Sequence, residues 1–250
     1  MDNYTKTKNF TLDLLFPKFC LGCQREGSYL CQDCRALLEI LEFNYCLCEK
    51  DPIIIPPGQI DRKKGKCHRC QDKKLSGLYF ALSYKNKIAQ SLIKSFKYPP
   101  YVKDLAETLS SVLIEHFIKT RNNTDQIWEN SILIPVPLYK KKLRERGYNQ
   151  SEELAKELSK ILKIPVLSDV LLKIKKTDSQ MELKKDDREK NLLGAFAINE
   201  NFVKSDFTKF LKIFLVDDVY TTGSTMQECA LALRASGAKS VFGIALAREG

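Results

Sequence analysis

Two adjacent carboxylates followed by a hydroxyl-rich loop form the chemically most informative stretch of this sequence. Asp217 and Asp218 end an apolar run, and residues 221–225 then carry hydroxyl groups on both sides of Gly223. A helix is predicted to follow, over residues 226–236. Backbone N–H groups at a helix N-terminus bind anions, and glycine lets the backbone approach a phosphate closely. Carboxylates accept hydrogen bonds from sugar hydroxyls or help to place a divalent cation. The stretch therefore predicts a site for a phosphorylated sugar, and it is richer in polar groups than helix capping requires.

A second candidate segment is strongly basic and follows the predicted strand 132–137. Arginine suits this chemistry because its guanidinium binds phosphate through two parallel hydrogen bonds, and Gly147 frees the backbone next to Arg146. The lysines suit pyrophosphate or a nucleic-acid backbone, and a solvated charged surface explains them equally well. We expect this segment to be a loop, and its cations are Lys140, Lys141, Lys142, Arg144 and Arg146.

The cysteines indicate metal binding. Eight of the nine occur before residue 71. Two thiolates separated by a tight turn suit tetrahedral zinc, and four thiolates leave no coordination position open for catalysis. The pattern predicts one or two structural Zn²⁺ sites, with reduced thiols that hold no metal as the alternative. The pairs couple either in sequence or interleaved, and we favour the sequential order; the pairs are Cys20 with Cys23, Cys31 with Cys34, Cys46 with Cys48, and Cys67 with Cys70.

The chain changes character near residue 76, which predicts two domains. Residues 1–75 are rich in cysteines and turn-forming residues, and we expect a small zinc-binding module there. Residues 76–250 alternate between strand-like and helix-like segments, which predicts an α/β domain with a mostly parallel sheet flanked by helices. Ligands of such sheets bind beyond the carboxyl ends of the strands. The predicted helices are 88–96, 102–119 and 151–163; the predicted strands are 78–84, 132–137, 211–216 and 240–247, with 170–174 and 194–198 as further candidates.

Composition narrows the classes of partner. The formal net charge of +10 favours anionic partners such as phosphates, nucleotides or nucleic acid. No segment has the roughly 18 consecutive apolar residues that a membrane span needs, so we expect no membrane insertion. The N-terminal apolar run is short and has no cleavage site for a signal peptide, which predicts a cytoplasmic protein.

The motifs resemble those of a known family. Residues 216–225 are similar to the phosphoribosyl-pyrophosphate loop of type I phosphoribosyltransferases. The order of motifs resembles the ComF family more closely, whose members include proteins of DNA uptake in natural competence. The matching features run from Cys20 almost to Arg248; they are the paired cysteines, residues 92–98, 134–138 and 146–150, Thr177 with Gln180, Arg188 with Asn191, and the acidic loop.

The resemblance implies a type I phosphoribosyltransferase-like fold that binds phosphoribosyl pyrophosphate, or a related phosphosugar, with Mg²⁺. Asp217 and Asp218 would hold the ribose hydroxyls, and Arg146 would lie near pyrophosphate. Gln180 and Arg188 fall in a stretch that resembles the flexible hood of these enzymes. The remaining residues implied to bind the ligand are Pro135, Val136 and Pro137 in one turn, and Val219, Tyr220, Thr221, Thr222, Gly223, Ser224 and Thr225 in the loop.

Two functional hypotheses follow from different classes. In the first, which we favour, the protein is an enzyme that transfers phosphoribose to an unidentified acceptor by displacing pyrophosphate at the anomeric carbon. Such catalysis depends on positioning and charge stabilisation, which agrees with the absence of an obvious nucleophile in the sequence. In the second, the fold is a non-catalytic module that handles single-stranded DNA through its basic face during uptake. The resemblance adds a competence helicase as a candidate partner.

Overall fold

The computed structural model describes residues 17–56, 65–121, 125–177, 192–202 and 210–249. Two of the predicted ligand-binding residues, Gln180 and Arg188, lie outside the described residues, as does Asn191. The helices are α1 (Gln32–Ala36), α2 (Lys87–Lys97), α3 (Leu105–Lys119), α4 (Asp125–Trp128), α5 (Lys140–Arg146), α6 (Gln150–Leu162) and α7 (Ser224–Ala235). The strands are β1 (Asn44–Tyr45), β2 (Ile54–Ile55), β3 (Gly77–Ser83), β4 (Ser131–Pro135), β5 (Leu171–Lys173), β6 (Phe196–Ile198), β7 (Lys212–Tyr220) and β8 (Val241–Arg248).

A four-stranded parallel sheet forms the centre of the fold. Its strand order is β3–β8–β7–β4, and every neighbouring pair is parallel. Strands β3, β4 and β8 are almost entirely buried, as expected for a parallel sheet that helices cover. Helices α3, α6 and α7 pack against it. The predicted mixed α/β architecture with a parallel, helix-flanked sheet is therefore confirmed.

Aromatic side chains fill the core on one part of this sheet. Phe214 of β7 stacks on Phe242 of β8 with ring centroids 5.5 Å apart, and it lies 4.9 Å from Trp128. Tyr79 and Phe117 complete the cluster. Large rings of this kind remove much apolar area from water. The cluster thus fixes β7, the strand that carries the acidic pair, between its neighbours.

Two segments differ from the sequence-based expectation. The predicted basic loop is a helix, α5, which ends at Gly147 in the left-handed conformation with φ 80°. None of its residues is buried, so local helix-forming residues and a glycine stop determine it rather than packing. Strand β7 continues through both carboxylates to Tyr220, because β8 supplies partners as far as Arg248. The loop after β7 is therefore only three residues long.

The two candidate strands between residues 170 and 198 do form, but outside the central sheet. β5 and β6 pair antiparallel, with Leu172 opposite Ala197. α7 lies against β6. Helix α6 begins where predicted, since the Asn149 side chain accepts a hydrogen bond from the N–H of Ser151 at 3.2 Å.

The cysteine-rich segment packs directly on the α/β part. Arg35 of α1 donates to the carboxylate of Glu115 and to the backbone carbonyl of Ser111, both on α3. The N–H of Leu41 donates to the carbonyl of Ala81 in β3. A boundary near residue 75 stays a prediction, because these contacts join the two parts through one buried core. In the described part of the chain, no helix combines the length and apolar character that a membrane crossing requires.

Candidate functional site

A cleft of about 430 Å³ opens at the carboxyl ends of β4 and β7. Strand β7 contributes the acidic pair, and the following loop and α7 form the adjacent wall. The opposite wall comes from the turn after β4 and from α5, and the end of α2 also reaches the cleft. Parallel strands present their carboxyl ends at one edge of the sheet, so these segments meet although they are far apart in sequence. The predicted site residues in the cleft are Val136, Pro137, Arg146, Asp217, Asp218, Val219, Tyr220, Thr221, Gly223 and Thr225.

The acidic pair is held in two different ways. Asp218 is 5% exposed and accepts a hydrogen bond from the ammonium of Lys97, 3.0 Å from Nζ to Oδ1. Asp217 accepts from the hydroxyl of Ser151 at 3.0 Å and from the N–H of Asp218 at 2.9 Å. The side chain that donates to Asp218 is therefore charged, and the side chain that donates to Asp217 is neutral.

The surroundings of Asp217 determine its protonation. Burial raises the pKa of Asp217 to about 7; the neighbouring Asp218 charge adds to the shift, and Lys97 opposes it. For Lys97, burial favours the neutral amine, but the charges of Asp218 and Asp217 outweigh burial and raise its pKa. The cleft therefore holds one ion pair, Lys97 with Asp218, and a second carboxyl group, Asp217, that exchanges a proton near neutral pH.

The loop between β7 and α7 has two chemically different sides. Thr221, Gly223 and Thr225 line the cleft. Thr222 and Ser224 line a neighbouring cavity instead, and their hydroxyl oxygens lie 2.8 Å apart. The predicted hydroxyl groups thus divide between the two sides of the loop.

Gly223 is required here for two reasons. Its φ of 80° lies in the left-handed region, which side chains rarely adopt. A Cβ atom at this position would also collide with the hydroxyl group of Tyr220. The loop can therefore form its tight turn into α7 only with glycine, and the backbone at the helix N-terminus stays open to the cleft.

Cations face the acidic pair across the cleft. Arg146 lies at the end of α5, and Lys142 of the same helix and Lys173 of β5 also line the cleft. Burial lowers the pKa of Arg146, an effect that the Asp218 charge opposes. Its Nη1 atom is shielded from solvent, and no described residue hydrogen-bonds to it. A buried guanidinium N–H without an acceptor is costly, so the arrangement suits an anionic ligand that would supply the acceptor.

The turn after β4 is braced by the segment that begins α6. The N–H of Val136 donates to the carbonyl of Val216, and the amide of Asn149 donates to the carbonyl of Val136 at 3.0 Å. Gln150 and Tyr148 both donate to the backbone carbonyl of Phe96, near the end of α2. These bonds hold the β4 turn and the end of α2 together. Residues 148–150 therefore have a structural role in the cleft in addition to that of Arg146.

Several cleft residues were not predicted from the sequence. Lys97 and Ser151 contact the acidic pair directly, and Lys173 and Tyr101 also line the cleft. Lys97 ends an amphipathic helix in which a terminal lysine is unremarkable, so only the sheet topology brings it to Asp218. Thr177, from the predicted hood, does line the cleft and is 7% exposed. Pro135 lies in β4, just below the cleft.

The eight N-terminal cysteines form two clusters in sequential order. The first cluster consists of Cys20, Cys23, Cys31 and Cys34, and the second cluster consists of Cys46, Cys48, Cys67 and Cys70. Within each cluster, the sulfur atoms lie within 4.8 Å of one another. The favoured sequential pairing is therefore confirmed, and His68 belongs to neither cluster.

The geometry of both clusters fits zinc. A tetrahedron with Zn–S bonds near 2.3 Å places its sulfur atoms about 3.8 Å apart. The observed separations are 3.6 Å for Cys23 and Cys31 and 3.4 Å for Cys48 and Cys67. Backbone N–H groups donate to Cys20 and Cys46 at 3.4 and 3.2 Å, an arrangement that stabilises thiolates. Both clusters could thus hold a structural Zn²⁺ ion.

Comparison with known proteins gives partial matches. No protein-family model matches the sequence. Competence protein F of Haemophilus influenzae is 37% identical over 131 residues, which is 52% of this chain and 56% of that protein. The DNA utilization protein YhgH of Escherichia coli K12 is 31% identical over 138 residues, 55% of this chain and 58% of YhgH. Competence protein ComFC of Bacillus subtilis is 32% identical over 119 residues, 47% of this chain and 45% of ComFC. The chain thus spans about half the length of the curated relatives it matches.

The raised pKa of Asp217 predicts a pH-dependent effect of its replacement. Asp217 has a pKa of about 7 in the folded protein and an ordinary pKa of 3.8. Its contribution to the free energy of unfolding is therefore fully present below pH 3.8 and is lost as the pH rises through 7. Asp217→Asn keeps the shape but removes the charge. We expect the variant to gain stability relative to the wild type as the pH rises from 5 to 8. Urea denaturation without added Mg²⁺ measures this; exposed Asp169→Asn is the control, and a pH-independent difference for Asp217→Asn contradicts the assignment.

The cysteine clusters predict two zinc ions per chain. Purified protein should contain about two equivalents of zinc by metal analysis, since each cluster supplies a complete set of four thiolates. Cys31→Ser should remove one equivalent from the first cluster, and Cys67→Ser one from the second. Cys229→Ser is the control, because Cys229 is buried in α7 away from both clusters and should leave the zinc content unchanged. Metal-free wild-type protein with intact fold would contradict the prediction.

Proposed function

We propose that this chain, a member of the ComF family, binds phosphoribosyl pyrophosphate with Mg²⁺ in the cleft at the carboxyl end of its parallel sheet and transfers phosphoribose to an acceptor. The observation that carries the proposal is the meeting of the acidic pair, the β7–α7 loop and Arg146 in one cleft. These groups match the three parts of the ligand, a sugar diol, a 5′-phosphate and a pyrophosphate. The names of the relatives support a role in competence and DNA utilization.

In this proposal the acidic pair binds the ribose. Carboxylate oxygens accept hydrogen bonds from adjacent hydroxyls, and Asp217 and Asp218 project from one strand end. The Lys97 ammonium donates to Oδ1 of Asp218, so a sugar hydroxyl that binds this oxygen would replace the ion pair. Lys97 then becomes available to the leaving group.

The loop side of the cleft would bind the 5′-phosphate. The N-terminus of α7 carries the partial positive charge of the helix dipole, and α7 has 12 residues. Hydroxyl groups of Thr221 and Thr225 line the cleft at this end. Gly223 keeps the backbone accessible, which supports direct contact between N–H groups and phosphate oxygens.

The basic wall would stabilise pyrophosphate as it leaves. In the reaction, the bond between the anomeric carbon and the pyrophosphate oxygen breaks, and a bond to the acceptor forms at that carbon. Negative charge grows on the leaving group, and Arg146 with Lys142 faces this position. Mg²⁺, when bound, would neutralise further charge on pyrophosphate, and Asp217 and Asp218 are the carboxylates that would help to hold it.

The first test of this proposal is ligand binding. Isothermal calorimetry should show Mg²⁺-dependent binding of phosphoribosyl pyrophosphate by the wild type, and Asp217→Asn with Asp218→Asn should abolish it, because the sugar loses both acceptors. Asp169→Asn, which replaces an exposed carboxylate, should bind like the wild type. Pyrophosphate release against a panel of bases then tests transfer. Failure of the wild type to bind would reject the proposal.

A second candidate function is the handling of single-stranded DNA, and the exposed helix α5 favours it. Lys140, Lys141 and Arg144 are exposed beside the cleft, and only Lys141 has an ion-pair partner among them in the described part of the chain, Glu145 at 3.8 Å. A cluster of exposed cations attracts a nucleic-acid backbone and releases counterions on binding.

The DNA hypothesis predicts a different pattern of variants. Lys140→Gln with Lys141→Gln should weaken binding of a single-stranded oligonucleotide and reduce its salt dependence, measured by fluorescence anisotropy at several salt concentrations. Lys156→Gln with Lys160→Gln removes the same charge from α6, where both lysines pair with glutamates, and should have little effect. Equal losses from both double variants would show non-specific attraction by net charge and contradict a binding face on α5.

A further inference from the structure

One buried arginine links the second cysteine cluster to the β7 side of residues 221–225, which we call the phosphate loop because the proposed function assigns it the 5′-phosphate. Arg248, at the end of β8, donates from Nη1 to the carbonyl of Cys46 at 2.9 Å and from Nη2 to the carbonyl of Cys48. The side chain is buried, 4% exposed. Its guanidinium lies over the ring of Tyr220, 5.7 Å from the centroid, and over the ring of Phe80, 5.3 Å away. One arginine thus joins a metal-ligand pair to the last residue of β7.

Tyr220 carries this contact into the loop. It pairs with Arg248 in the sheet register, and its carbonyl accepts from the N–H of Glu249 at 2.9 Å. It is 1% exposed, so its ring has little freedom to move. Gly223 lies so close to the Tyr220 hydroxyl that even one added methyl group would not fit. The position of the ring therefore limits the path of the loop directly above it.

The same cluster also contacts the other end of the loop, through α7. The segment that follows Cys70 runs along this helix, where the Gln227 side-chain oxygen accepts from the N–H groups of Lys74 at 2.6 Å and Leu75 at 3.2 Å. Further along the helix, Arg234 donates to the carbonyl of Lys74 at 2.6 Å. Each cysteine pair of the second cluster is thereby tied to one flank of the loop, Cys46 and Cys48 to β7 and Cys67 and Cys70 to α7.

The first cluster provides a contrast within the same chain. Its contacts with the α/β part go to α2 and α3, through Arg35 to Glu115 and through the side chain of Asn86, which donates to the carbonyl of Leu37. In the described segments, no hydrogen bond joins residues 20–34 to residues 220–227. The two clusters are therefore linked to different parts of the fold, although each consists of four cysteines.

We propose that the second cluster positions the phosphate loop: a metal ion held by its four thiolates fixes residues 221–225 through Arg248 on one side and Gln227 on the other. Without the metal, the Cys46–Cys48 and Cys67–Cys70 pairs are no longer tied together, and the two flanks of the loop lose their common support. Arg248 and Gln227 are positioning residues, since neither lines the cleft. The inference rests on the proposed function only in naming the ligand that the loop would bind.

Hydrogen exchange of the backbone amides in residues 221–225 tests this coupling in the full chain without any ligand. Arg248→Met, which keeps the apolar stem but removes the guanidinium, should speed exchange there by about tenfold, and Cys67→Ser should do the same. Arg248→Lys retains charge and one hydrogen bond and should restore most of the protection. The matched controls act on the first cluster, and Arg35→Met and Cys31→Ser should leave exchange at 221–225 within about twofold of the wild type.

Two further measurements distinguish this coupling from general destabilisation: the exchange rate of a double variant and the zinc content of Arg248→Met. If both changes act through one connection, Arg248→Met combined with Cys67→Ser should exchange no faster than Cys67→Ser alone. Arg248→Met should keep two equivalents of zinc. Fully additive effects, or unchanged exchange at 221–225 in both single variants, would overturn the proposal, as would equal acceleration by Arg35→Met.

Binding then connects the inference to the proposed function. Calorimetry with phosphoribosyl pyrophosphate and Mg²⁺ should show about tenfold weaker binding by Arg248→Met and near-normal binding by Arg248→Lys, because a loosened loop must be ordered again by the ligand. If the wild type binds no ligand while the exchange results hold, the proposed function fails and the coupling stands. If the wild type binds and Arg248→Met binds equally well with unchanged exchange, the coupling fails and the proposed function stands.

Discussion

Two adjacent carboxylates in a partly buried cleft can coexist only if cations and hydrogen-bond donors surround them, and this electrostatic requirement organises the whole site. Burial raises the pKa of Asp217, and the neighbouring charge of Asp218 adds to this effect. Lys97 donates a hydrogen bond to Asp218, and Ser151 donates one to Asp217. Because these partners come from α2 and α6, the acidic pair is stabilised only when both helices are in place.

The parallel sheet is what makes such convergence possible. Its strands run in one direction, so the segments that follow β4 and β7 leave from the same edge. The turn at Pro137 and the loop at Gly223 therefore face each other, although 86 residues of sequence separate them. The aromatic cluster around Phe214 holds the opposite end of β7 within the sheet. The packed core thus fixes the position of β7, and with it the carboxyl end of this strand at the cleft.

The two cysteine clusters solve a separate problem, since the described part of the segment before residue 76 has only short elements, among them α1 with five residues and β1 and β2 with two residues each. Metal coordination can supply the folding free energy that such a segment lacks. Yet the clusters differ in their surroundings. The segment of the first is hydrogen-bonded to α3 and to the start of α2, whereas the second is bonded to Arg248 at the end of β8, and the segment that follows it is bonded to α7. The second cluster is thereby linked to the elements on both sides of residues 221–225.

The sequence by itself determined the local features of this protein. Alternation of strands and helices predicted the parallel sheet, cysteine spacing predicted the two four-thiolate clusters, and the run from Asp217 to Thr225 marked the strand–loop–helix unit, because each depends on residues close together in the chain. Only the tertiary structure decided that β7 continues through the carboxylates, since β8 supplies its partners. It also decided that Lys97 pairs with Asp218 and that Arg248 joins the second cluster to the end of β7. Strand pairing joins residues 28 positions apart in β7 and β8, and the two side-chain contacts join residues 121 and 202 positions apart. No local pattern in the sequence records such contacts.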